Sequence, residues 1–324
     1  MRYFVRACIV FLCVLAFAGC SQKYIPVQTI APAQFDKVLD YKRLSIAPTL
    51  NDTFQMTHFL EEKLFEKSFN HIPLFQIVSM HEKQSSIPSK VDATIVMQID
   101  VPIIYDTTYY VERIRCNDAK CKYPYTIYMP CIERSYSTAI YFQIIDTHNS
   151  QLVFSKNFSK STQDRACRTG GYEYLPDTNL HLRLMQEQMV NEFIAIISPT
   201  YYKIDARIAF KEPEIDLGYE AEKRLEAGIE ALKKNNLSQA KKEFETVLNM
   251  SHHKSYAATH NLGLVYEAKG DFAMANTLYN KCLTLLKHPL EHLELQQSLN
   301  RIEHTLIQEK IVTGQMQKTR QSLK

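Results

Sequence analysis

The sequence predicts two dissimilar bodies in series: an α+β domain with a small mixed sheet and two helices, then an all-α module of repeated helix pairs. Three observations carry this reading. Tyrosines crowd into residues 100–205, whereas Ala, Leu, Lys and Glu dominate from 217 onward, and such a shift in composition marks a domain boundary. Between 93 and 158 apolar residues alternate with period two, as in strands with one face buried. Beyond 217 a pattern of small and aromatic residues around Gly228 returns around Gly263, 35 positions later. With 45% apolar residues, 324 positions suffice for two modest cores.

The chain opens MRYFVRACIVFLCVLAFAGC, with Arg2 and Arg6 ahead of an apolar stretch from Ala7 to Ala18, then Gly19 and Cys20. A charged start, a short apolar run and small residues before a processing site mark a removable leader. A spanning helix would need about 20 apolar residues. The segment resembles the signals of bacterial lipoproteins, although Phe17 stands where Leu is usual. The resemblance implies a signal peptide at 1–19, a mature N-terminus at Cys20 carrying acyl chains such as palmitate, and membrane attachment through that lipid. Ser21, in place of Asp, implies the outer membrane, with the body facing the periplasm. Loss of Arg2 and Arg6 lowers the net charge from +3 to roughly +1, too weak a field to gather nucleic acid.

Residues 20–38, with Pro26 and Pro32, read as a polar tether, and the α/β domain is expected over 39–210. Arg43–Ala47 reads as a strand closed by Pro48. A helix follows to about residue 69 on the stripe Met56, Phe59, Leu60, Lys63, Leu64 and Phe65. Phe75–Val78 is a second strand, Ala93–Tyr105 a longer one, and Ser135–Asp146 another, with Tyr136, Ile140, Phe142 and Ile144 on one side of the pleat. The turn DTHNSQ at 146–151 leads into LVFSKNFSK, which predicts an antiparallel hairpin. Leu182, Met185, Met189, Phe193 and Ile196 form a helical stripe ending near Pro199.

RLSIAP at 43–48, VDATIVMQIDV at 91–101 and FQIIDTHNSQLVFSKNF at 142–158 resemble the curli-secretion lipoprotein, the lipoprotein activators of penicillin-binding proteins and the N-terminal domain of the TolB translocation protein. The resemblance spans about 150 residues and implies an envelope docking module. No pair of pore-forming hairpins is legible, so channel activity is not carried over. Thr107–Arg134 and Ser159–Pro176 look like insertions that form loops. They hold Cys116, Cys121, Cys131 and Cys167, for which export permits disulfides in any of three pairings. A zinc site and free thiols are the competing readings, and the scattered spacing disfavours zinc. His81, His148 and His181 share the domain, but nothing places one beside a cysteine as a catalytic thiolate requires. Tyr109, Tyr110, Tyr123, Tyr125 and Tyr128 suit a binding surface and ordinary strands equally well. Gly170 and Gly171 read as a turn, with no phosphate-cradling helix after them.

In the C-terminal part, HNLGLVYEAKGDFAMANTLYNKCLTL at 260–285 carries Leu262, Gly263, Tyr266, Gly270, Asp271, Ala275, Tyr279 and Cys282. AGIEALKKNNLSQAKKEFETVL carries the corresponding Gly228, Ala231, Asn235, Asn236, Ala240, Phe244 and Val247. These segments resemble tetratricopeptide repeats, two of them over 217–289. A capping helix over 290–310, with Leu295, Leu299, Ile302 and Leu306 in its stripe, closes the stack, and 311–324 reads as a flexible tail. Cys282 is read as core. The resemblance implies a concave groove lined by Glu222, Leu225, Ile229, His260, Asn261, Leu264 and Glu267, in which Asn261 hydrogen-bonds the backbone of a bound peptide.

Taken together, these readings give an expected function: an outer-membrane lipoprotein acting as a protein-protein interaction adaptor in envelope assembly, its repeats holding an envelope protein or peptide. The alternatives are a ring-forming subunit of a secretion or motility apparatus, hence a homo-oligomer, and a thiol-dependent enzyme. Paired carboxylates, nucleophile motifs, metal clusters and nucleotide loops are not legible, so no catalytic residue, metal or cofactor is expected.

Overall fold

A computed structural model describes residues 23–69, 71–78, 91–168 and 175–321. The expected leader, Cys20, His81, Gly170 and Gly171 lie outside them. In chain order the elements are β1 (Tyr24–Ala31), a 3-10 turn (Asp36–Asp40), β2 (Arg43–Ile46), α1 (Met56–Phe65), β3 (Ser68–Phe69), β4 (Ile72–Pro73), β5 (Gln76–Ile77), β6 (Ala93–Ile99), β7 (Ile103–Cys116), β8 (Pro124–Asp146), β9 (Leu152–Cys167) and α2 (Thr178–Ile197). β10 (Thr200–Arg207) follows, then α3 (Tyr219–Lys233), α4 (Leu237–Met250), α5 (Tyr256–Ala268), α6 (Phe272–Leu285), a 3-10 turn (Pro289–Glu291) and α7 (Leu293–Gln321). The described residues divide into two compact units, 33–199 with 315–321, and 23–32 with 200–314.

The first unit is a mixed α+β domain. β2 lies between β5 and β6, parallel to both, and β6, β8 and β9 continue the sheet antiparallel. Ala93, Ile95, Met97 and Ile99 of β6 pair with Asp146, Ile144, Phe142 and Ile140 of β8, so one face of the sheet collects the apolar side chains. α1 and α2 cover that face. Phe142 stacks on Phe193 of α2 with ring centroids 4.1 Å apart and meets Phe158 edge-on at 5.6 Å. Each such ring, fully buried, contributes about 1.5–3 kcal/mol relative to exposure. Asp177 starts α2 by accepting from the backbone N–H groups of Asn179 and Leu180.

Beyond the core the sheet departs from the sequence expectation. Pro102 ends β6, and the chain resumes as β7, which follows the same side of β8. The segments read as looping insertions are mostly strand: β7, the first half of β8 and the end of β9 build a three-stranded arm, with Cys116 opposite Pro124 and Cys131 opposite both Tyr109 and Cys167. Runs such as IIYDTTYYVERIR and YTIYM are rich in β-branched and aromatic residues, so extended backbone wins over loop. Cys116–Cys121 closes the arm's hairpin turn, and Cys131–Cys167 ties β8 to β9. α1 also stops at Phe65, short of the expected residue 69, because 68–69 pair with 72–73.

The second unit is a helical module with repeat-like packing. α3 pairs with α4, α5 with α6, and α5 also packs on α4. Asn235 and Gly270, 35 positions apart, take left-handed backbone at the two hairpin turns, with φ of 57° and 80°. The next residues, Asn236 and Asp271, cap the second helix of each pair. A Cβ on Gly228 would stand 2.5 Å from the ring of Phe244, and one on Gly263 2.5 Å from that of Tyr279. The aromatic side chain fits only because the facing position is bare.

Two further expectations are corrected here. The tether contains β1, whose Val27 faces Ile204 in an antiparallel ribbon with β10 that packs on α5. Pro26 is tolerated because, among the described residues, β1 pairs along one edge only. β10 therefore belongs with the helices and not with the α/β domain. Residues 311–321, expected to be tail, extend α7, where Val312 is buried.

The glycine contacts generate a paired prediction. Gly228→Ala and Gly263→Ala are each expected to cost about 1–3 kcal/mol through overpacking. Gly314→Ala in α7, where a Cβ would meet nothing within 4 Å, is expected to add about 0.5–1 kcal/mol. Urea midpoints of the three variants check both signs.

Candidate functional site

α5 starts at Ser255, whose hydroxyl accepts from Ala258 N, and its inward residues His260, Asn261, Leu264 and Glu267 are completely buried. Leu225 and Ile229 of α3 are buried as well, and only Glu222 remains exposed. The concave face is thus covered, and the cover is the chain itself.

Two segments supply it. After β10 the chain runs across α5, and Asn261 grips the backbone of Ala209: its Oδ1 accepts from Ala209 N at 3.0 Å and its Nδ2 donates to Ala209 O at 2.8 Å. Three residues on, Glu212 Oε2 accepts from Ser255 Oγ at 2.7 Å and from Ala257 N at 3.1 Å, at the start of α5. Burial pushes the Glu212 carboxyl up from its ordinary range. Glu214 accepts from Lys287 N at 2.9 Å, a bond that holds its carboxyl down. The backbone grip expected of Asn261 is present, but the strand gripped belongs to this molecule.

α7 seals the rest. Arg301 donates two bonds to Glu267, Nε to Oε1 at 2.6 Å and Nη2 to Oε2 at 2.8 Å, and Tyr279 donates to Glu267 Oε2 at 2.6 Å. His260 Nε2 lies 3.1 Å from Ser298 Oγ. Burial among Tyr256, Tyr279 and α7 pushes the imidazole of His260 down to about 4. Cys282 is buried, and desolvation drives its thiol upward, as suits a core residue. Nothing in the sequence reading marked Ala209, Glu212 or Arg301. The acidic pair in EPE at 212–214 was the available signal for the strap.

The arm presents the opposite case. Even-numbered residues of β8 face α2 in the core, and the period of two carries that face outward along the arm. There it presents Tyr110 at 68% exposure, Ile114 at 72% and Tyr128 at 64%, with Ile132 beside them. Tyr109 and Tyr125 lie on the other face, and Tyr123 is in the turn. At the arm's base Arg134 donates two bonds of 2.7 Å to Asp106 and one of 3.1 Å to Thr178 of α2. The Arg134 guanidinium holds the Asp106 carboxyl below its usual range. His181 of α2 stacks on Tyr136 at 4.8 Å and stands 3.2 Å from Asp164 of β9. His148 belongs to the β8–β9 turn, beside Asp146. Neither histidine has an arm thiol to activate, because all four arm cysteines are in disulfides. Among the described residues no His, Cys, Asp and Glu cluster could hold a metal ion, and no helix is long and apolar enough to cross a membrane.

The class defined by these features is a two-unit chain, an α+β domain bearing an exposed arm and a helical repeat-like module closed on its own strap. No family model matches the chain, and no curated protein matches it. Among solved structures it is similar to a minor lipoprotein from Acinetobacter baumannii, with 13% identity over 47% of this chain and 89% of the other. The TM-score is 0.23, too low to carry an argument.

His260 yields a pH prediction. Its imidazole titrates near 6.5 when unfolded and near 4 when folded, so protons favour the unfolded chain. Its contribution is complete above about pH 6.5 and is lost as pH falls toward 4, by about 2 kcal/mol at pH 5. Glu294, Arg301 and Tyr279 face the same ring, so the comparison must be with a variant. His260→Gln is expected to lose less stability between pH 7.5 and 5 than the parent, read from denaturant midpoints. Glu267→Ala, which strands the buried Arg301, is expected to cost about 3–5 kcal/mol at pH 7.5.

Proposed function

We propose that this protein is a lipid-anchored lipoprotein of the outer membrane that serves as a protein-interaction adaptor on the periplasmic side, with the arm as its recruiting surface. The observation that carries the reading is the aromatic and aliphatic face of the arm, Tyr110, Ile114, Tyr128 and Ile132, held out on a stapled sheet. Exposed apolar clusters of this kind mark interaction sites, and tyrosine supplies large contact area at low entropic cost. The leader and Cys20 support the anchor, and two disulfides suit an oxidising compartment. The helix pairs are read as two tetratricopeptide repeats whose groove serves internal assembly, with Asn261 and Glu267 holding the molecule's own strap and α7. The role is binding, without catalysis, cofactor or nucleic acid.

A second reading has one observation of its own. β7 pairs with β8 along one edge only, and its other edge has no partner strand among the described residues. A second copy could extend the sheet there, as a ring-forming subunit would require.

In living cells, a photo-crosslinking residue replacing Tyr110 is expected to trap one envelope protein, and the same probe replacing His260 to trap none. Adducts from His260 with none from Tyr110 would overturn the assignment to the arm, and self-adducts from Tyr110 would favour the ring. Labelling with an alkyne analogue of palmitate is expected to mark the parent chain and to fail on Cys20→Ala; equal labelling of both would remove the anchor.

A further inference from the structure

On the face of the sheet away from α2, β7, β8 and β9 align two rows of side chains at the base of the arm. Tyr105 stands opposite Ser135 and Ser135 opposite Gln163; one step along, Ile103 stands opposite Ser137 and Ser137 opposite Ser161. In these two rows the middle strand carries only serines, flanked by Tyr105 and Ile103 on β7 and by Gln163 and Ser161 on β9. The result is a trough of about 360 Å³ running along β8. Serines form its floor, Tyr105 and Ile103 one wall, and Gln163 and Ser161 the other. Gln163 Nε2 donates to Ser135 Oγ at 3.3 Å, which leaves its carbonyl oxygen and second N–H for a ligand.

The chemistry of this trough narrows its occupant. In the row beyond Tyr105, Glu133 and Arg165 face one another and pair at 2.5 Å, so the end of the trough offers no uncompensated charge. A lipid headgroup, phosphate or nucleic acid would need a free cation there. A peptide strand needs free backbone donors and acceptors, and those of β8 here are consumed by β7 on one side and β9 on the other. What remains is a row of hydroxyls and an amide beside a tyrosine that is 65% exposed and open for stacking. Hydroxyls and amides match the edge of a pyranose ring, and an aromatic face matches its C–H face.

We infer that the trough formed by Tyr105, Ile103, Ser135, Ser137, Ser161 and Gln163 is a binding site for an uncharged glycan. Tyr105 stacks on a sugar ring, and the serines and Gln163 bond its hydroxyl or acetamido groups. The site is separate from the apolar face of the arm and does not depend on the adaptor reading.

The full mature chain would be titrated with chitotetraose, cellotetraose and maltotetraose, with binding followed by saturation-transfer NMR and calorimetry. At least one of the three probes is expected to bind. Chitotetraose alone would assign an N-acetylated glycan and cellotetraose alone a plain hexose glycan; either supports the site. Tyr105→Ala is expected to weaken binding roughly tenfold. Ser137→Leu, which fills the floor at an exposed position, is expected to abolish it, whereas Tyr125→Ala at the tip leaves it unchanged. Absence of saturation transfer from all three probes, or binding that survives both Tyr105→Ala and Ser137→Leu, would overturn the inference.

Discussion

β8 is the constraint on which the α+β unit depends. A single strand, Pro124–Asp146, serves as a central strand of the buried sheet at one end and as the spine of the arm at the other. Side chains along a strand alternate without interruption, so the face that buries Phe142 and Ile144 under α2 reappears on the arm as Tyr128 and Ile132. The opposite face is half-exposed over the core and becomes the serine floor at the arm's base. A slip of one residue would bury Ser135 and Ser137 and expose the phenylalanine. The pairing of Cys131 with Cys167, directly opposite one another, holds β8 and β9 in that register.

The helical unit is governed by a different rule, which is that buried polar groups must be paired. His260, Asn261 and Glu267 lie on the surface that repeated helix pairs usually offer to others, and each has been satisfied from within. Asn261 takes the backbone of Ala209, Glu267 takes Arg301 and Tyr279, and His260 takes Ser298. Two helix pairs leave an apolar surface that needs covering. The β1–β10 ribbon, the strap around Glu212 and α7 provide that cover, at the expense of an open groove. The proposed recruiting surface is accordingly the arm and not the helix pairs.

The parts of the fold legible in the sequence were those with a short-range signature. The hairpin of β8 and β9 was announced by alternation on both sides of DTHNSQ, α2 by its apolar stripe, and the helix pairs by Gly228 with Phe244 and Gly263 with Tyr279. Tyr110 and Tyr128 were noticed as tyrosines, although their placement on one exposed face required the register. The arm's strands were taken for loops because cysteines and polar residues interrupt the alternation, and an exposed sheet need not alternate at all. β1 was missed since its two-proline segment finds its partner strand more than 170 residues later.

By itself, then, the sequence determined the division into an α+β part and a helical part, and the local pattern of each helix pair, since these rest on composition and on periods of two and 3.6 residues. Tertiary structure alone decided which cysteines pair, that β1 and β10 join the helices, that the expected groove is filled, and that serines from β8 and β9 meet Tyr105 in one trough. Each of these depends on residues far apart in the chain meeting in space. Local propensity carries no record of which distant segment arrives.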